Sequence, residues 1–296
     1  ESRYSASITR GYSVLKKSWG SSCITANSLA QASRSKWRVI MSSDTNPNYL
    51  AFLPSVVEHW KSYGLEPVVA LVVEKNEDVK DLITTIQAFV EVRVLQLEPD
   101  PHLPKGHAAK LARAYLATQF GDDVVTIVDI DYYLLWFKQW AAHLACVPEN
   151  GLFGLGYNRY SGTKDEGKFP MYLTTARSST FAAFLKPQSP FQAWLSTFRS
   201  IRMFDDSESP YSTYGSFSDE SLFRALLSRT PVPVVWVDTP KSWKRIDRTQ
   251  RHPVSSSELL SSADVFPNRP LGDCSMYTTR LQPVHTALKI ANAQRD

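Results

Sequence analysis

Residues 124–135 read VVTIVDIDYYLL. An almost unbroken apolar run, the length of a strand and rich in β-branched residues, ends in two aspartates one residue apart, Asp129 and Asp131. Continuous apolar runs of this kind belong to strands covered on both faces, so two charges at the end need a reason. Residues i and i+2 of a strand face the same way, which predicts that both carboxylates converge on one point. Carboxylates that close repel one another unless a cation sits with them. Hard oxygen ligands and an incomplete shell suit Mg²⁺ or Mn²⁺, completed by water and substrate phosphates.

Outward from this stretch the chain alternates. KWRVIMSSD (36–44) is an apolar strand breaking into the turn-forming DTNPN, and YLAFLPSVVEHWKSYG (49–64) has apolar residues at helical spacing up to Gly64, with Pro54 against a straight helix. EPVVALVVE (66–74) is a strand, DVKDLITTIQAF (78–89) a helix with Asp78 as its cap, VEVRVLQLEP (90–99) a strand and GHAAKLARAYLATQFG (106–121) a helix closed by glycine. VVTIVDID is the fourth strand. This order predicts an α/β fold with a mostly parallel sheet flanked by helices. In the second half, strands are expected at 152–158, 172–179 and 232–238, and helices at 191–202 and 218–229. Residues 1–35, rich in Ser, Ala, Arg and Thr, read as an irregular arm or stem before a single domain over 36–296.

Composition narrows the classes. With 43% hydrophobic and 21% charged residues the chain is an ordinary globular protein, and a net charge of +4 with no basic run gives no reason to expect nucleic acid. Cys23, Cys146 and Cys274 form no CxxC pair, which excludes a disulfide framework and leaves one disulfide open. No apolar stretch approaches the roughly 18 residues that span a bilayer. The chain starts at Glu1, so a membrane is expected only through an anchor upstream.

The element order and the Asp-x-Asp after the fourth strand resemble the GT-A glycosyltransferases, which move a sugar from a nucleotide diphosphate to an acceptor. HAAKLARAYLATQFGDDVVTIVDIDYYLL (107–135) is similar to their segment in which a helix bearing a basic residue precedes the metal-binding Asp-x-Asp. The resemblance covers about residues 36–250 and implies a GT-A-like, Rossmann-related sheet, with a nucleotide-binding half to about 131 and an acceptor half beyond. It further implies Mn²⁺ (or Mg²⁺) as cofactor, a UDP- or GDP-sugar as donor, a hydroxyl on a glycan or glycoprotein as acceptor, and hexosyl or pentosyl transfer. Asp131 would bind the metal that bridges the donor phosphates. Asp129 would contact metal, ribose or sugar, with Ile130 in the same donor segment. Arg113 matches the basic residue that touches the donor, against a surface helix charge as the plain reading. Ser42, Ser43 and Asp44, closing the first strand, would hold base and ribose, although SSDTN (42–46) is equally good turn chemistry.

Asp219 and Glu220 fall in the first turn of the helix from Ser218, where acids also favour the helix dipole alone. Many inverting GT-A enzymes start a helix with their base here, so one of the two would take the acceptor's proton. KSWKRIDRTQRHP (241–253) would bring Arg245 and Arg248 to the leaving diphosphate, or be a solvated basic loop. A third metal ligand from the C-terminal part would be His252 or His285. The aromatics Tyr132, Tyr133, Trp136, Trp140, Tyr157, Tyr160 and Tyr172 are candidates, a minority of them, for an acceptor pocket beside the polar loop 157–170. A Ser-rich stem before a catalytic domain fits the Golgi lumen, while the lack of any Asn-x-Ser/Thr sequon leaves the cytoplasm open.

Three other classes compete. A haloacid-dehalogenase phosphatase wants Thr or Val where Tyr133 stands and carries its motif on the first strand. A nucleotidyltransferase of the same fold usually has a glycine-rich basic loop where this chain has SSDTNPN. A non-catalytic interaction module retaining the fold is distinguished by the absence of metal-dependent donor hydrolysis.

Overall fold

The computed structural model describes residues 5–9, 12–17, 36–100, 103–145, 147–156, 169, 171–200, 218–227, 232–237, 245–246 and 264–265. Strands β1 (Ser5–Thr9) and β2 (Tyr12–Lys17) pair antiparallel. The expected irregular arm thus contributes two strands to the sheet. Their stability comes from pairing with a partner far along the chain, which leaves no local periodicity to read.

The expected alternation follows: β3 (Trp37–Ser43), α1 (Pro47–Leu50), α2 (Leu53–Lys61), β4 (Glu66–Glu74), α3 (Lys80–Gln87), β5 (Glu91–Leu97), α4 (Lys105–Ala117) and β6 (Val124–Val128). The single helix expected over 49–64 is two. Asn46 caps α1 by accepting from the Asn48 N–H at 3.0 Å, and Pro54 sits in the first turn of α2. Proline lacks the N–H that a continuous helix would need there, whereas a first turn does not use it. Asp78 accepts from the Lys80 N–H, but the cap position of α3 is Val79.

Beyond β6 come β7 (Tyr133–Leu134), α5 (Phe137–Leu144), β8 (Leu152–Leu155), β9 (Leu173–Arg177), α6 (Ser178–Leu185), α7 (Phe191–Ser196), α8 (Ser218–Leu227), β10 (Val234–Val237), β11 (Arg245–Ile246) and β12 (Asp264–Val265). The strand expected over 172–179 stops at Arg177 and turns directly into α6. Helix α5 carries no expectation from the sequence.

Nine strands form one sheet in the order β1-β2-β10-β8-β9-β6-β3-β4-β5, and β11, β12 and β7 form a second. In the large sheet β3, β4, β5 and β6 run parallel, β9 runs against β6 and β8, and β10 runs with β8 and β2. This is the expected α/β class with a mostly parallel sheet.

The strands are apolar on both sides because both are covered. Val39 and Met41 of β3 face the side of α2, packed with Val56, Val57 and Trp60, while Ile40 faces Ala108, Ala112 and other small residues of α4. Each fully buried aliphatic or aromatic side chain of this kind contributes about 1.5–3 kcal/mol. Alanine favours the helix and lets it lie close on β3 and β4. No helix among the described residues is long and apolar enough to cross a membrane.

Candidate functional site

The topology selects the place. β3 and β6 are neighbours, yet β3 leads away to β4 while β6 arrives from β5 through α4. Connections that diverge leave a crevice at the carboxyl ends of the two strands, where open α/β sheets bind their ligands. Ser42, Ser43 and Asp44 end β3 there, and Asp129 and Asp131 follow β6. The sequence reading and the switch point therefore meet at one location.

The local geometry of the acid pair differs from the expectation. β6 ends at Val128, its last residue paired with β9, and the Tyr132 N–H donates to the Asp129 carbonyl at 3.1 Å. The two aspartates thus lie on a turn: β6 leaves the ladder after Val128 although β3 runs on to Ser43, and strand alternation does not govern them. The carboxylates differ accordingly: the Asp129 side chain is 29% exposed, whereas Asp131 is 2% exposed. Ile130, expected along the donor, puts its side chain into the core.

Arg113 is no surface charge. Helix α4 packs against the sheet and against α6, α7 and α8, and the buried Arg113 guanidinium it carries makes two ion pairs. One is to Asp129 Oδ1 and the other to Asp219 Oδ2 at 2.7 Å. Burial works against its charge, but the two carboxylates together outweigh that and raise its pKa above the usual arginine value. Two carboxylates on one guanidinium leave an excess of one negative charge, and Asp131 is adjacent in the same turn.

Asp219 and Glu220 occupy the first turn of α8, as expected, but both are buried rather than solvated. The Asp219–Arg113 bridge joins the start of α8 to the acid turn across the chain. His107, in the first turn of α4, lies within electrostatic reach of Asp219. Burial lowers its pKa, nearby Lys110 adds to the effect, and Asp219 partly offsets it.

On the β3 side, Asp44 Oδ1 accepts from the Asn46 N–H at 3.1 Å. A Cβ at Gly106 would stand 3.3 Å from Asp44 Oδ2, so this glycine lets the carboxylate lie against the first turn of α4. Lys105 ties the loops after β3 and β4 to that turn, donating to Thr45 at 2.7 Å and to both oxygens of Glu77 at 2.8 Å. Burial disfavours the Glu77 carboxylate, yet Lys105, Thr45 and the Glu74 N–H hold its pKa below the usual range. Lys105, Glu77 and His107 read in the sequence only as helix and loop residues, since what joins them is separated by tens of positions.

The aromatic candidates are mostly core. Tyr132, Tyr133 and Trp140 are fully buried, Tyr172 nearly so, and Trp136 half-buried; Tyr157 and Tyr160 lie outside the described residues. Burial, with a smaller contribution from the Asp131 charge, raises the Tyr133 pKa. Gly156, at the carboxyl end of β8, has φ +82°, and a Cβ there would overlap the Tyr172 hydroxyl. Left-handed backbone and overpacking each cost about 1–2 kcal/mol. Gly156→Ala is therefore expected to lower unfolding free energy by about 2–4 kcal/mol in urea titration; an unchanged midpoint would show that the tyrosine yields freely.

Among the described residues no three His, Cys, Asp or Glu side chains gather as a metal-holding group. The protein offers two carboxylates in one acid-rich turn, which fits a hard divalent cation that takes one or two carboxylates and completes its shell with water and phosphate oxygens. Arg245, in β11, is carried by β12 to β7 directly after the acid turn: Arg245 pairs with Asp264, and Asp264 with Leu134. Arg248, His252 and His285, and the loop 157–168, lie outside the described residues.

No protein-family model matches the chain, and no curated protein matches it. Solved structures similar to it include an active-site mutant of LgtC, at 13% identity over 84% of this chain and 95% of that one, TM-score 0.42. The bifunctional glycosyltransferase WbbM is similar at 12% identity over 80% of this chain and 47% of its own, TM-score 0.43. A glycosyltransferase involved in glycosylating the major capsid of PBCV-1 is similar at 9% identity, over 85% and 98%, TM-score 0.40. At such identities and scores the similarity concerns chain path alone, and the chemistry has to come from the side chains at the switch point.

Proposed function

We propose that this chain is a glycosyltransferase that moves a sugar from a nucleotide-diphosphate donor to a hydroxyl acceptor, using Mn²⁺ or Mg²⁺. The observation that carries the reading is the convergence, at the carboxyl ends of β3 and β6, of the acid turn with a buried arginine that also holds the start of α8. Such a site has an excess of carboxylate charge and hard oxygen donors, which suits a divalent cation with phosphates attached.

In this reading Asp131 and Asp129 hold the cation, which when bound offsets the charge of the diphosphate leaving group. Arg113 fixes the orientation of Asp129 and keeps it from drifting into solvent. Ser42, Ser43 and Asp44 bind the nucleoside side of a UDP- or GDP-sugar, and Arg245 and Arg248 stabilise negative charge on the departing phosphates. Because Asp219 Oδ2 is engaged by Arg113, we assign the acceptor proton to Glu220. The acceptor is a glycan or glycoprotein hydroxyl, and His252 or His285 completes the metal set.

The experiment is a survey of nucleotide sugars by thermal stabilisation, with MnCl₂ and with EDTA. One donor is expected to raise Tm by several degrees only with the metal, and Glu220→Gln to keep that rise while lowering turnover. A protein that responds to no nucleotide sugar in either condition is not this enzyme.

A further inference from the structure

Helix α2 and the turn that ends it present three polar side chains at a spacing of four, Ser55 and His59 from the helix and Tyr63 from the turn, toward one short segment of chain. That segment is β7, Tyr133–Leu134, which starts two residues after Asp131. Ser55 and His59 are buried. Such a stripe on a buried side is costly unless its groups find partners, and each of the three side chains has a hydrogen-bond partner in β7 or in α2 itself.

The direction of each bond follows from counting hydrogens. A carbonyl only accepts, so Ser55 Oγ donates its one hydrogen to the Phe52 carbonyl at 3.0 Å. Its oxygen then accepts from the Tyr133 hydroxyl. The Leu134 carbonyl takes the Tyr63 hydroxyl at 3.0 Å and His59 Nε2 at 3.1 Å, so His59 carries its proton on Nε2. The His59 ring also lies between those of Tyr63, 4.9 Å away, and Tyr133, 5.3 Å away. On its other side β7 is paired with β12.

Phe52 stands at the junction of α1 and α2, and α1 continues directly from the loop Asp44–Asn46 that follows β3. One helix therefore bonds the segment leaving the acid turn and is itself the continuation of the loop on the opposite side of the crevice. We propose that α2 with its C-terminal turn is a positioning element, whose residues Ser55, His59 and Tyr63 set the acid turn at Asp129–Asp131 at a fixed place relative to Ser42–Asp44. Binding of a divalent cation together with a nucleotide depends on that placement. The inference rests on the metal and nucleotide reading of the site.

The test uses Tyr133→Phe and Ser55→Ala, which remove the two sides of one hydrogen bond while sparing the Tyr133 ring, and the double variant. Deuterium exchange is followed in peptides covering 129–135, and MnCl₂ is titrated against thermal stabilisation by UDP and, separately, GDP. Exchange is expected to quicken on the order of fivefold. The Mn²⁺ needed for half-maximal stabilisation should rise on the order of tenfold, with ligand-free Tm lower by only a few degrees. The double variant should match Ser55→Ala, since the Ser55–Tyr133 bond is lost in all three and only the Ser55 substitution also removes the bond to the Phe52 carbonyl. If wild-type protein responds to Mn²⁺ with a nucleotide and the variants respond identically, with unchanged exchange at 129–135, α2 is only packing and the proposal is overturned. If wild type responds to neither nucleotide, the reading of the site fails and the proposal falls with it.

Discussion

Asp131→Asn is expected to lower sugar transfer by roughly a hundred- to a thousandfold while Tm stays within about 2–4 °C of wild type. Asparagine has nearly the same shape, so the core around a side chain that is 2% exposed need not repack. What changes is one negative charge and one hard ligand oxygen in a turn that has a net excess of carboxylates. The Mn²⁺-dependent stabilisation by nucleotide should vanish with the activity, since both draw on the same charge. Wild-type turnover in this variant, measured over a range of Mn²⁺ concentrations, would remove the metal assignment. Asp129→Asn should behave differently, because Asp129 is also a partner of Arg113, and its loss should reach stability as well as turnover.

Arg113→Met is expected to cost about 3–5 kcal/mol of unfolding free energy. Methionine replaces the volume of the stem, but it leaves Asp219, whose side chain is 5% exposed, without the guanidinium that lies 2.7 Å from it. The cost is thus chiefly that of a buried charge deprived of its counter-charge, not of lost packing. Replacing Asp219 by Asn in the same chain should recover more than half of the loss, since removing both members of a buried pair is far cheaper than removing one. Urea titration of the single and double variants measures both. A single-variant loss below about 1 kcal/mol would mean that water reaches the pair and that the bridge does not lock α8 to the acid turn.

How much of this was legible before the structure differs from one residue to another. β4 and β6 could be read because a strand covered on both faces leaves a run of apolar residues in the chain itself, and EPVVALVVE is observed as a strand from Glu66 to Glu74. The position of the acid pair was legible for the same reason: charge directly after such a run is conspicuous. Its geometry was not. Strand alternation does not reach it, because pairing ends at Ile127 on the β3 side and at Val128 on the β9 side, and where a strand leaves its ladder is decided by contacts between distant segments. Strands β1 and β2 were missed on similar grounds.

Arg113 shows the same division within one residue. Its place on a helix was plain from the alanine-rich pattern around it, but the choice between a solvated charge and a buried clamp depended on α8 packing against α4. Residues 113 and 219 are far apart in sequence, and no local rule relates them. Ser55, His59 and Tyr63 likewise look like incidental polar residues of an amphipathic helix until β7 is laid against them.

The sequence by itself determined the alternation of strands and helices, the class of sheet that follows from it, and the place along the chain where acidic chemistry sits. These properties arise from burial periodicity and from charge placed against it, both written in neighbouring residues. Only the tertiary structure decided which carboxylates Arg113 holds, which aspartate is buried, and which helix braces the acid turn. Those are contacts between distant segments, and their partners are chosen by how the layers pack.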